Sequence, residues 1–109
     1  MAVKPYVFDG VVLAGIAGVI GSAVPALTSR IIKSATATNT TGAPVALTVY
    51  LVPSVGAPGA ANTLISAFPV AAGEAFPCPA IINQGLNSGG TVQALGAGLT
   101  FKYTAVDIT

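Results

Sequence analysis

The chain has no histidine and no tryptophan, one cysteine, and only four basic and three acidic side chains in 109 residues. Each shortage closes a class of function. Without histidine there can be no Ser-His-Asp or Cys-His arrangement to activate a nucleophile. Zinc would have to be held by Cys78 with Asp9, Glu74 and Asp107, which is not a usable ligand set. Two of those acids would have to meet within about 5–10 Å to act on a glycosidic bond; each is read instead as a turn or strand-end charge. A single cysteine excludes an internal disulfide. With no base nearby to lower its pKa, Cys78 is expected to be a small buried hydrophobe in Phe76-Pro77-Cys78-Pro79. Lys4, Arg30, Lys33 and Lys102 are too few and too scattered to track phosphates, so no nucleic acid partner is expected.

Two weaker signals remain. Gly85 to Gly90 is glycine-rich but lacks the Lys-Ser/Thr of a phosphate loop, so its glycines are expected to serve turns. Sugar sites often stack a ring on an aromatic face. Tyr50, which shares a strand face with Thr48, is the side chain to weigh for that role, and sheet-surface packing is the plainer reading. No catalytic, cofactor-binding or metal-ligating residue is expected, and the protein is not expected to be an enzyme.

Apolar side chains are abundant: 53% of the residues are hydrophobic and 6% charged, against a charged share of about 25% in ordinary domains. A chain of this length buries a little under about 70% of its unfolded surface, so one small core cannot hide all of them. A net charge of +1 adds little colloidal protection. Burial in an assembly is the simplest resolution.

Residues 10–29 carry no charge. They are long enough for a membrane helix, and Ala14/Gly18 and Ala17/Gly21 would suit close helix packing. Ala23-Val24-Pro25-Ala26 loosely imitates the end of a secretory signal. Asp9 ahead of the run and the glycines at 10, 15, 18 and 21 weigh against a helix, at about 1 kcal/mol each relative to alanine. The favoured reading is strand and loop packed on a neighbouring subunit, with no membrane partner.

Further on, period-2 alternation marks strands. Val45, Leu47, Val49 and Leu51 alternate with Ala46, Thr48, Tyr50 and Val52, and Ile31 to Thr38 is rich in β-branched and small residues. Asn39-Thr40-Thr41-Gly42-Ala43-Pro44 holds turn residues, so residues 30–52 are expected to form a hairpin. Asn62 to Val70 is expected as a strand with Leu64, Ser66, Phe68 and Val70 on one side, kept from a central place by Pro69. Phe76 to Ile82 reads as a short interrupted strand. Thr91 to Leu95 and the Leu99, Phe101, Tyr103 strand read as a final pair turned by Gly96-Ala97-Gly98, with a bulge near Ala105 where the parity slips. The whole predicts an all-β protein, an antiparallel β-sandwich or jelly roll. It is divided into an N-terminal apolar assembly segment (residues 1–28) and a sandwich domain (residues 29–109).

The runs Arg30-Ile31-Ile32-Lys33-Ser34, Thr38-Asn39-Thr40-Thr41-Gly42 and Val45 through Ser54 resemble small virion structural proteins of tailed bacteriophages. The likeness continues through Ala61-Asn62-Thr63-Leu64-Ile65, Ala71-Ala72-Gly73-Glu74 and Thr91-Val92-Gln93-Ala94, and covers residues 29–109. The resemblance implies a β-sandwich and a virion location. Its expected role is a capsid decoration or cement protein that forms a homo-oligomer, with a trimer favoured, and binds the major capsid protein. A tail, neck or fibre component is the alternative, with a host-surface glycan-binding module or a small membrane-associated protein beyond it.

Overall fold

A computed structural model describes residues 2–109, and nearly all of its regular structure is strand. In chain order the strands are β1 (Val3–Val12), β2 (Gly18–Ile20), β3 (Ser29–Asn39), β4 (Val45–Val52), β5 (Thr63–Val70), β6 (Ala75–Phe76), β7 (Gly85–Leu86), β8 (Thr91–Leu95) and β9 (Leu99–Ile108). They form two antiparallel sheets. One has the order β1-β9-β3-β6, with β7 also on β3; the other has the order β2-β8-β4-β5. Facing rows of apolar side chains fill the space between: Ile32, Ala35 and Ala37 with Leu99, Phe101 and Tyr103 from the first sheet, and Leu47, Val49, Ile65 and Val92 from the second. The architecture is the antiparallel β-sandwich that the alternation predicts.

The pairing differs from expectation at both proposed hairpins. β3 pairs with β9, β6 and β7, whereas β4 pairs with β5 and β8. Residues 40–44 therefore form a corner between sheets. Asn39 shows why. Its buried side chain donates through Nδ2 to the Ala43 and Val70 carbonyls (2.8 and 2.9 Å), and its Oδ1 accepts from the Thr41 N–H at 2.9 Å. The amide closes the turn and ties the end of β3 to β5 in the opposite sheet. Likewise β8 and β9 lie in different sheets, and the Gly96–Gly98 corner rests on residues 13 and 14 through Gly96 N–H to Ala14 O and Gly98 N–H to Leu13 O.

Two parity expectations also shift. β9 keeps its alternation past Ala105, which is buried. The extra residue is Lys33 on β3, between Ile32↔Ala105 and Ser34↔Thr104. In β5 a bulge sets Ser66 and Ala67 against Thr48, with the Ala67 N–H donating to Thr48 Oγ1 at 3.0 Å. Ile65 and Val70 therefore point inward, in place of one continuous row from Leu64 to Val70. Of the strand expected over Phe76 to Ile82 only Phe76 is strand, as the end of β6, and Pro79–Ile81 is a 3₁₀ turn.

The sheets run across residue 28, where the sequence suggests a boundary. β1 pairs along β9 from Val3↔Ile108 to Val12↔Thr100, and β2 pairs with β8. Residues 2–28 thus supply an edge strand to each sheet, and Leu13, Ile20 and Val24 enter the common core. Met1 of the expected assembly segment lies outside the described residues. Among the described residues no helix is long and apolar enough to cross a membrane.

Every sheet edge is blunted. Ala2 and Thr109 exchange both backbone hydrogen bonds, so the alternate residues Val3, Pro5 and Val7 turn their backbone groups toward open solvent. Pro5 has no N–H to offer there. β5 carries Pro69 and its bulge, β2 has three residues, and β6 has two before Pro77. Pro69 thus occupies the edge position expected of it, and strand addition is hindered at β5, β2 and β6 and interrupted by Pro5 on β1.

Candidate functional site

Residues singled out by their chemistry do not converge. No group of three His, Cys, Asp or Glu among the described residues could hold a metal. Glu74 Oε1 accepts from the Ala71 N–H (2.9 Å) and closes a turn. Cys78 is buried, its Sγ donates to the Phe76 carbonyl, and burial pushes its thiol up to about 11. Tyr50 is half-buried on the outer face between Gln93 and Thr63. Gly85 belongs to β7, and Gly89 (φ 83°) packs on Ser54, where an added Cβ would lie 2.5 Å from its Oγ.

Asp107 departs from the expected isolated surface charge. Arg30, 1% exposed, donates Nε to Asp107 Oδ1 at 2.7 Å and Nη2 to Oδ2 at 2.9 Å. Its Nη1 donates to the Ser22 carbonyl at 3.0 Å, and its guanidinium carbon lies 3.7 Å from the centroid of the Tyr6 ring. Burial works against the guanidinium's charge, yet the Asp107 carboxylate outweighs it and holds the Arg30 pKa above its ordinary value. Tyr6 Oη accepts from the Ser22 N–H at 3.0 Å and from its hydroxyl at 3.3 Å. Burial raises the Tyr6 phenol, but the Ser22 hydrogen bonds and the Arg30 charge draw it below the usual tyrosine value. Tyr103, whose hydroxyl donates to the Ile20 carbonyl, is pushed upward by burial.

Gly21 makes this approach possible. Its φ is 78°, and a Cβ there would sit 2.5 Å from Tyr6 Oη and 3.0 Å from Tyr103 Oη. The cluster ties β1, β3, β9 and the segment after β2 into one unit. Its contacts span these elements, so it acts as a clamp between them. One signal for it was available in the sequence: Arg30 shares strand parity with Ile32, and Asp107 shares it with Leu99, Phe101 and Tyr103. Two opposite charges on inward rows of two strands implied that each had a buried partner.

A second region gathers loops at the end of the sandwich where β4 finishes and β8 begins. Thr28 N–H donates to Ser88 Oγ, which in turn donates to the Thr28 carbonyl. Val24 exchanges backbone hydrogen bonds with Gly89 and Gly90. Pro53 O accepts from Gly56 N–H, closing a turn whose third residue is Val55 at φ 53°. Glycine or asparagine is usual at such a position. Leu27 has φ 56°. Left-handed backbone costs an L-residue about 1–2 kcal/mol, yet both side chains project into solvent, Leu27 92% exposed and Val55 fully exposed. Beside Val55 lies an open recess of about 350 Å³ lined by Leu51, Pro53, Ser54, Leu86, Asn87 and Ser88. Nothing in the sequence of this loop distinguishes an exposed valine from a buried one.

No family model matches the chain, and no curated protein matches it in sequence. Among solved structures it is similar to a chain of infectious bursal disease virus, Gx strain. The identity is 17% and the TM-score 0.47, over 98% of this chain and 32% of that one. The chain thus spans about a third of the length of that viral chain.

Proposed function

We propose that the protein is a non-enzymatic structural component of a virion, and within that class a decoration or cement protein on the capsid of a tailed bacteriophage. The carrying observation is the distribution of charge. The sheet β2-β8-β4-β5 contains no charged residue on any strand, and Val19 on its edge strand β2 and Phe68 on β5 remain exposed. A surface of that kind meets a neutral partner with little desolvation of charge. The blunted edges direct association to faces and loops and away from runaway strand addition. The resemblance of residues 29–109 to small phage virion proteins supplies the context. In such a setting a modest interface suffices, because many symmetry-related copies act together. The partners on this reading are further copies of the chain, with a trimer as the favoured order, and the major capsid protein.

The test is the copy number and position of the chain in purified particles. Hundreds of copies on the shell support the decoration role. Tens or fewer at a neck or tail tip would move it to the tail or fibre class, and absence from particles would remove the virion reading.

A further inference from the structure

We propose that the loop end is a self-association surface, in which the Val55 tip of one copy seats in the recess of a second copy. This deepens the assembly reading above, and its test uses the purified chain so that it can fail while the particle location stands. Three observations carry it.

The first is preorganisation. Val55 and Leu27 combine full or nearly full exposure with left-handed backbone, an arrangement that a lone folded chain gains nothing by keeping. The loops bearing them share one base. Ser88 holds Thr28 on one side, and Gly89 packs against Ser54 on the other. The tips are therefore fixed relative to the recess before any partner arrives, which lowers the ordering cost of binding.

The second is the adjacency of knob and hole. Ser54, a lining residue, immediately precedes Val55. Leu86 is buried and Leu51 half-buried in the recess, whereas Pro53, Ser54 and Asn87 are exposed around them. The recess presents polar and apolar surface in nearly equal share, which suits a branched aliphatic tip together with the polar backbone beside it. Because tip and seat lie side by side on one surface, each copy can offer its tip to one neighbour and its seat to another, as a closed ring of copies requires.

The third is charge. An uncharged surface lets two copies meet with no like-charge repulsion and no charge to desolvate. Residues 10–29, 34–73 and 75–101 have no charged side chain, and they contain both tips and the whole lining. The nearest charged pair, Arg30 with Asp107, is mutually neutralised inside the fold. No basic residue or Trp accompanies the tips, as it would on a membrane-seeking loop.

Sedimentation of the full chain across a range of concentrations should show mass rising above the monomer, and Val55→Asp should weaken that association at least tenfold. Val55→Gly separates association from folding: it relaxes the turn, so the melting temperature should rise while association falls. Val55→Cys mixed with Asn87→Cys should give a mixed disulfide between copies under oxidation, since Cys78 is buried. A chain monomeric at every concentration would overturn the proposal. So would Val55→Cys linking only to itself, association unchanged by Val55→Asp, or co-pelleting of monomer with phosphatidylcholine vesicles.

Discussion

The sheet formed by β1, β9, β3, β6 and β7 carries Lys4, Asp9, Arg30, Lys33, Lys102 and Asp107, six of the seven charges, whereas the sheet formed by β2, β8, β4 and β5 carries none. The first sheet contains the longest strands, and it encloses the ion pair in its inward rows. The second is held by apolar packing and backbone pairing, with uncharged side-chain hydrogen bonds at Thr48, Val70 and Gln93 and no ion pair. Both sheets share one core, yet they depend on different forces. Polar interactions give the first a specific geometry around Arg30, and the second relies on the fit of Leu47, Val49, Ile65 and Val92.

The comparison can be broken most severely by removing residues 2–22. That deletion takes one strand from each sheet and strips Tyr6 and Ser22 from Arg30. We expect loss of the cooperative fold, seen as loss of the strand signal in circular dichroism. A folded, merely monomeric product would restore the independent assembly segment expected from the sequence.

Asp107→Asn attacks the charged sheet alone. It strands the Arg30 charge in the interior and should cost about 3–5 kcal/mol in denaturant unfolding. The double variant Arg30→Met, Asp107→Leu should recover most of that loss, since no lone charge remains. If the double variant is no better than the single, the clamp's value lies in the Arg30 hydrogen bond to Ser22 and its contact with the Tyr6 ring. Leu47→Ala is the counterpart in the uncharged sheet, and should cost about 2–5 kcal/mol through lost packing and a cavity. Its effect should be insensitive to salt.

Smaller effects come from pH and from turn charges. The Cys78 thiol rises from 9.0 to about 11 through burial. A raised acid keeps its neutral form in the fold, so its contribution is complete below pH 9 and is lost as pH rises toward 11. Chemical denaturation of Cys78→Ala and the parent should therefore converge in stability over that window. Equal slopes for the two would place the thiol in a more solvated setting. Glu74→Gln, which keeps an acceptor for the Ala71 N–H, should shift stability by under about 0.5 kcal/mol.

Strand positions were legible in the sequence where alternation was clean. Leu47 and Val49, and Leu99, Phe101 and Tyr103, all face inward as their spacing implies. Pro69 identified an edge, because a missing N–H has the same meaning in any sheet. Neighbours were not legible. A period of 2 says which side of a strand is buried and nothing about the strand beside it, so Asn39 to Pro44 read as a hairpin turn. The Asn39 amide that makes the segment a corner acts through Val70, thirty-one residues away. The slip assigned to Ala105 had a similar cause. As a strand-end charge Asp107 has no reason to face inward, and only Arg30 on another strand supplies one. The loop-end recess left no mark at all, since it is made by segments that meet only in the folded chain.

β9 lies between β1 and β3 along almost its whole length, and this has a consequence for how the molecule forms. β1 and β3 emerge early in synthesis, but the strand that joins them comes last. Until residues 99–108 are available, Tyr6, Phe8, Ile32 and Ala35 have no facing partner in their own sheet. The nascent chain must therefore carry unsheltered apolar strands until β9 is made, a state open to chaperones and to aggregation. Refolding should be correspondingly slow for so small a protein, on the order of milliseconds to seconds, because nearly every sheet neighbour is a distant stretch of chain.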